Sequence, residues 1–123
     1  MSLLLLNENV LKAWKNIDPE SWEVLVEDIL NLFLENSPAQ FSSLVLASEE
    51  ENFENVRLLA HKLKSSCGNI GAEQAQAILN DIEKACLDQQ YNVAQGLMAQ
   101  LQPLFNETMI RVEHYKNHQQ WKV

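Results

Sequence analysis

His61 stands among unusual neighbours in the stretch LLAHKLKSSCGNIGA, residues 58–72. On a helical wheel of about 100° per residue, the apolar residues of this region gather on one face, and His61 falls roughly 160° from the centre of that face. The imidazole is therefore predicted to point into solvent. An exposed imidazole is mostly neutral near pH 7, so one ring nitrogen has a lone pair that can accept a phosphoryl group.

The charges around His61 suit an anion. The 123-residue chain has a formal net charge of −8 and only nine Lys and Arg residues, yet Arg57, Lys62 and Lys64 fall within eight positions. No acidic residue occurs between positions 54 and 73. This stretch is predicted to form a locally positive strip on an acidic protein, in which nearby lysines offset the negative charge of phosphoryl oxygens.

Small residues follow His61 on its own side of the helix. Ser65 and Gly68 lie one and two turns later and leave the ring unshielded, while Leu58 adds an apolar residue one turn before it. A bulky partner is therefore predicted to dock here. The residues predicted to contact it, called the docking face below, are Arg57, Leu58, Lys62, Ser65 and Gly68.

The sequence lacks the features of a self-phosphorylating enzyme. It contains no GxxxxGK[ST] loop and no obvious carboxylate set for magnesium, so a phosphoryl group on His61 must come from another protein. No cofactor or metal site is predicted. Cys67 and Cys86 match no zinc spacing and are expected to be reduced, buried thiols, and His114 and His118 have a metal-binding spacing but no evident third ligand.

Composition excludes several classes of partner. The diffuse acidic charge argues against nucleic acid and against anionic membranes, because both need clustered Lys and Arg. No apolar run is long enough for a membrane span, and the apolar block after Met1 lacks the flanks of a secretory signal. The sequence therefore predicts a cytoplasmic protein, with this apolar block as the lead-in to a helix.

Apolar periodicity predicts an all-α chain of one domain, residues 1–123. Asp18-Pro19 and Ser37-Pro38 are each interpreted as an N-cap followed by the first residue of a new helix, and Pro103 is expected to kink or break the last helix. The predicted helices are 7–16, 19–36, 38–49, 53–69, 72–88 and 91–116. Short connections predict an antiparallel up-down four-helix bundle over 38–117, with one or two additional N-terminal helices within residues 1–36 packing on it.

Four apolar residues of the N-terminal region have two interpretations each. Leu30 and Leu34 widen the apolar stripe of their helix and either extend a docking patch or pack under the first helix. Trp14 and Trp22 are assigned to the core or to a lid in preference to a binding box.

The segment AHKLKSSCGNIGA resembles the signature of histidine phosphotransfer (HPt) domains, which reads roughly A-H-x-L-K-G-S-S-x-x-L-G-A. Two positions depart from it, because Ser65 replaces the usual Gly and Cys67 replaces a small residue. Ile70 is a conservative replacement. The helix layout also resembles the family's bundle over nearly the whole chain. The positions that match as they stand are Ala60, His61, Leu63, Lys64, Ser66, Gly71 and Ala72.

The resemblance implies that His61 takes a phosphoryl group from an aspartyl-phosphate of one receiver domain and passes it to another, with Lys64 assisting phosphate binding. It implies a monomeric carrier without kinase machinery, whose partners are response-regulator receiver domains, a hybrid sensor histidine kinase, or both. Any Mg²⁺ would belong to the receiver. The competing hypothesis is a helical adaptor or oligomerisation module that uses the same face with His61 unmodified. The identity of the receivers, the direction of phosphate flow and the effect of Ser65 stay open.

Overall fold

The computed structural model describes residues 2–122, and these form six α-helices with no strand among them. The helices are α1 Glu8–Lys12, α2 Trp14–Ile17, α3 Trp22–Glu49, α4 Phe53–Ile70, α5 Glu73–Leu87 and α6 Tyr91–Asn117. The predicted all-α class is confirmed. Among these residues, no helix is both long enough and apolar enough to cross a membrane.

The four long helices form the bundle. α3 packs on α4, α4 on α5, α5 on α6, and α6 returns to α3. The connections are only two or three residues long, so neighbouring helices run antiparallel. The two N-terminal helices are additional, since α1 packs on α4 and α2 on α3. The bundle therefore begins at Trp22, and the predicted division of the chain at residues 36–38 is wrong.

The error lies at Pro38, which is inside α3 and does not start a new helix. Proline in a helix interior costs about 3 kcal/mol, because it lacks an N–H and its ring crowds the preceding turn. Here Pro38 faces solvent, while Phe33, Ser37 and Leu44 form one buried stripe on both sides of it. Burial of this uninterrupted stripe outweighs the lost hydrogen bond. For the same reason α6 continues unbroken through the exposed Pro103.

The N-terminal helices also differ from those predicted from the sequence. The single helix predicted over 7–16 is divided at Ala13, and α3 starts at Trp22 and not at Pro19. Asp18 caps the turn before α3, because its Oδ1 accepts a hydrogen bond from the backbone N–H of Ser21 at 3.2 Å. The side chains left open by the sequence belong to the core: Leu30 and Trp22 are buried, and Leu34 and Trp14 pack against the buried cluster.

The core face of α4 was predicted correctly. Val56, Ala60, Leu63, Cys67 and Ile70 are all buried, while Leu59 is half-buried at its edge. Cys86 is buried as well, and neither cysteine is in a disulfide. Burial raises the pKa of the Cys67 thiol to about 12. These contacts fix which side of α4 must face away from the bundle.

Residues 3–7, called the N-terminal strap below, lie across the turn between α4 and α5. The backbone N–H of Asn7 donates to the carbonyl of Gly71 at 2.7 Å, and that of Gln74 donates to the carbonyl of Leu4 at 3.1 Å. The Glu73 carboxylate accepts from the Leu4 N–H and from the Asn7 amide, each at 3.0 Å. The strap and the α4–α5 turn therefore hold each other in place.

Candidate functional site

His61 lies in the middle of α4, on the side away from the core. The helix is well defined at both ends: the Asn52 side chain accepts from the N–H of Asn55, and Gly71 stops the helix in a left-handed conformation. The side chain of His61 is 61 % exposed. The prediction that the helix presents this imidazole to solvent is confirmed.

Glu83 of α5 holds the ring. Its Oε2 lies 2.5 Å from Nδ1 of His61, and its Oε1 lies 2.6 Å from Nζ of Lys64. Lys64 also reaches the side-chain oxygen of Asn80 at 3.4 Å. The Glu83 side chain is only 12 % exposed and that of Lys64 only 22 %, so one half-enclosed carboxylate joins the histidine to the lysine.

The carboxylate decides which nitrogen of His61 is available. An ionised carboxylate can only accept hydrogen bonds, so the ring nitrogen that faces it must bear the proton. Burial opposes ionisation of Glu83, but hydrogen bonds from Lys64 and His61, with the charge of Lys64, outweigh it and lower the pKa of this carboxyl group. Nδ1 is therefore the N–H, and Nε2 has the lone pair. Across residues 2–122, Nε2 has no hydrogen-bond partner.

The strip around His61 is less positive than its sequence indicates. Glu83 neutralises Lys64, and Arg57 pairs with Glu54 one turn earlier, 2.5 Å apart. Lys62 is exposed and takes part in no ion pair within the described chain. Glu83 is 22 residues from His61 along the chain, so no local sequence pattern connects the two residues. The two-residue α4–α5 connection was the available signal, since it sets the two helices in a register that brings Glu83 level with His61.

The small residues after His61 have different surroundings. Ser65 is exposed, and its hydroxyl donates back to the His61 carbonyl at 3.3 Å, so it stays low on the surface. Gly68 is half-buried, and a Cβ there would lie 2.6 Å from the amide nitrogen of Gln76. The space beside Gly68 is therefore occupied by the end of a flexible side chain of α5. Leu58 is 52 % exposed, as a docking residue needs to be.

Two other features lie apart from this network. The His114 and His118 rings stack with centroids 4.0 Å apart, but no group of three metal-ligating side chains exists within the described residues. A groove of about 440 Å³ is lined by apolar and polar residues of α2, α3 and the end of α4, and includes neither His61 nor Glu83. Neither feature adds a chemical group to the His61 site.

The fold is an all-α bundle that presents a histidine on one long helix. This is the class of protein that the residues around His61 indicated. The family model of the Hpt domain matches residues 28–113, well over half of the chain, and the chain belongs to this family. The fold is similar to that of histidine-containing phosphotransfer protein B from Pseudomonas aeruginosa PAO1, with a TM-score of 0.79 at 20% identity, over 95% of this chain and 98% of that one. No curated protein sequence matches the chain.

Proposed function

We propose that this chain is a phosphorelay carrier in which Nε2 of His61 accepts a phosphoryl group from a receiver domain and passes it to another. The observation that carries the proposal is the exposed imidazole whose Nδ1 is held by a carboxylate, on the helix that has the family's signature. Hpt proteins are carriers and not kinases, so the chain is proposed to bring no nucleotide site, cofactor or metal of its own.

In the transfer step, the Nε2 lone pair attacks the phosphorus of an aspartyl-phosphate. The N–P bond forms as the P–O bond to the aspartate breaks, and that bond's electron pair leaves with the receiver's carboxylate. Lys64 is the nearest cation in the His61 network. It is proposed to turn from Glu83 and Asn80 towards the phosphoryl oxygens, where it offsets their charge. A Mg²⁺ ion, if the reaction uses one, is proposed to be bound by the receiver.

The receiver is proposed to dock on the face defined above. Leu58 supplies exposed apolar area, the low profile of Ser65 leaves the imidazole accessible, and Lys62 supplies a positive charge that no described residue pairs. These features suit an acidic pocket that approaches His61 along its own face of α4. The carrier is proposed to act as a monomer in the cytoplasm.

The direct test follows a radiolabelled phosphoryl group from a phosphorylated receiver to the purified protein. The expected label is acid-labile and alkali-stable, as for a phosphoramidate, and is absent from His61→Gln. Because His61 is exposed, that variant should unfold at the same temperature as the wild type. A label that persists in His61→Gln contradicts the assignment of His61. Receiver binding without transfer would establish the adaptor hypothesis instead.

The docking face is tested with two leucines of similar exposure. Leu58→Ala should weaken receiver binding and slow transfer about tenfold, the effect of removing an exposed apolar contact from the centre of an interface. Leu46→Ala is the matched control, because Leu46 is 55 % exposed but lies on α3 beside a depression bordered by Gln102 of α6. Equal effects of the two substitutions would show that the receiver docks elsewhere.

A further inference from the structure

We propose that Glu83 keeps the proton on Nδ1 of His61 throughout the transfer cycle, so that the phosphorylated ring is held as a protonated, readily transferred phosphoimidazolium. The proposal rests on the function proposed above, and concerns what happens after His61 is phosphorylated. Glu83 is a positioning residue in this scheme, since it acts on the phosphoryl group only through the ring.

The geometry leaves Glu83 little freedom to move away from the ring. Its carboxylate is bound at both oxygens, by Nδ1 of His61 at 2.5 Å and by Nζ of Lys64 at 2.6 Å. Its side chain is 12 % exposed, so water can take over only part of these contacts. If Lys64 turns to the phosphoryl group, Nδ1–H is the remaining hydrogen-bond donor to this carboxylate among the described residues.

The protons and electrons balance as follows. Nε2 uses its lone pair to form the N–P bond, and Nδ1 keeps its hydrogen, so the ring acquires one positive charge. If the Nδ1 proton were then lost to water, a nitrogen lone pair would face a carboxylate oxygen, two acceptors with no hydrogen between them. The carboxylate therefore favours retention of the proton.

Retention of the proton matters most for onward transfer. When a second receiver's aspartate attacks phosphorus, the N–P bond breaks and its electron pair returns to Nε2. A protonated ring then leaves as neutral imidazole with its hydrogen still on Nδ1, whereas an unprotonated ring would have to leave as an anion. The cycle ends in the tautomer in which it began, with no net exchange of protons with solvent.

The other charged groups near His61 do not replace Glu83 in holding the proton on Nδ1. On α4, Arg57 is tied to Glu54, and Lys62 and Lys64 are cations that disfavour a protonated ring. On α3, the residues at positions 44–48 are uncharged, and a hydrogen bond from Ser66 to Gln40 joins this helix to α4. α1 packs at the other end of α4, near Gly71.

The substitution that tests this is Glu83→Gln. The amide keeps the size of the side chain but can turn either its oxygen or its NH₂ group towards Nδ1, so it no longer requires a proton there. Asp81→Asn is the matched control, because it removes the same charge two residues away, from an exposed side chain beside Lys84 and Val93 on the α6 side of α5. Both are made with His114→Gln and His118→Gln, which leaves His61 as the only histidine.

Phosphoramidate, which phosphorylates imidazoles directly, loads His61 in the absence of any receiver. Nitrogen NMR of the loaded protein then reports whether Nδ1 has a hydrogen, and rapid mixing with an unphosphorylated receiver gives the rate of onward transfer. The wild type and Asp81→Asn should keep the Nδ1 hydrogen and a nearly constant rate from about pH 6 to about pH 8.5. Glu83→Gln should lose the hydrogen over this range, and its rate should fall about tenfold relative to the wild type.

Coincident pH profiles and NMR signals of the wild type and Glu83→Gln would overturn the proposal, whatever the absolute rate of the variant. A uniform slowing with the Nδ1 hydrogen retained would also overturn it, because it would show a purely structural role for Glu83. Failure of the relay function would look different. The chemically loaded protein would still show whether Nδ1 is protonated, but no receiver would donate or accept the phosphoryl group.

Discussion

Replacement of Gly71 by alanine should destabilise the protein more than its one added methyl group suggests. Gly71 ends α4 with a φ of +84°, a left-handed conformation that costs an L-residue about 1–2 kcal/mol. An added Cβ would also overlap the carbonyl oxygen of Asn7 and lie 3.1 Å from Cβ of Val10. Because the oxygen is a backbone atom, relief of the overlap requires the N-terminal strap to move.

The magnitude follows from the contacts that this movement weakens. The hydrogen bond from the Asn7 N–H to the Gly71 carbonyl is 2.7 Å long. Such a bond contributes a net value of about 0.5–1.5 kcal/mol to the free energy of unfolding. With the conformational cost, Gly71→Ala should lower the free energy of unfolding by about 1.5–3.5 kcal/mol. For a domain of this size, the midpoint of thermal unfolding should fall by roughly 5–15 °C.

Urea unfolding of three variants separates the contributions. Gly96→Ala is the control, since an added Cβ there meets no atom within 4 Å, and it should raise the free energy of unfolding by about 0.5–1 kcal/mol. Gly71→Asn keeps the overlap with Asn7 but adopts the left-handed conformation more readily, so it should be about 1 kcal/mol more stable than Gly71→Ala. A loss below about 1 kcal/mol for Gly71→Ala would refute the reasoning.

Three further outcomes are expected. Lys64→Ala should slow phosphoryl transfer to His61 about tenfold or more in the radiolabel assay, and an unchanged rate would exclude the proposed phosphate contact. Leu63→Ala removes a fully buried side chain and should lower the free energy of unfolding in urea by about 2–5 kcal/mol, so a loss below that range would contradict its place in the core. Hydrogen bonds from the Asn7 side chain and the Leu4 N–H lower the pKa of Glu73 in the folded state. These contacts therefore stabilise the strap at pH values above the ordinary pKa of a glutamate. The stabilisation is lost as the pH falls through the lowered pKa. The Leu4 amide NMR signal should therefore shift as the solution is acidified, and a similar shift in Glu73→Gln would contradict the assignment.

The amino-acid sequence by itself was sufficient to predict the helical fold class and the exposure of His61. Both depend on local periodicity, because an apolar face at helical spacing must turn inward and the residue opposite it must turn outward. The segment around His61 was also sufficient to predict the family, since that signature is continuous in the chain. The sequence misplaced the start of the bundle because Ser37-Pro38 has the local form of a helix start, whereas the buried stripe that carries α3 through Pro38 is a tertiary feature.

Only the tertiary structure decided the electrostatics of the site. In the sequence, Lys64 belongs to a positive strip and Glu83 is a distant acid. In the fold, the antiparallel packing of α4 and α5 puts the Glu83 carboxylate against both His61 and Lys64. Hydrogen bonds act over about 3 Å of space irrespective of separation along the chain, so the protonation of Nδ1 and the availability of Nε2 follow from how two helices meet and not from either helix alone.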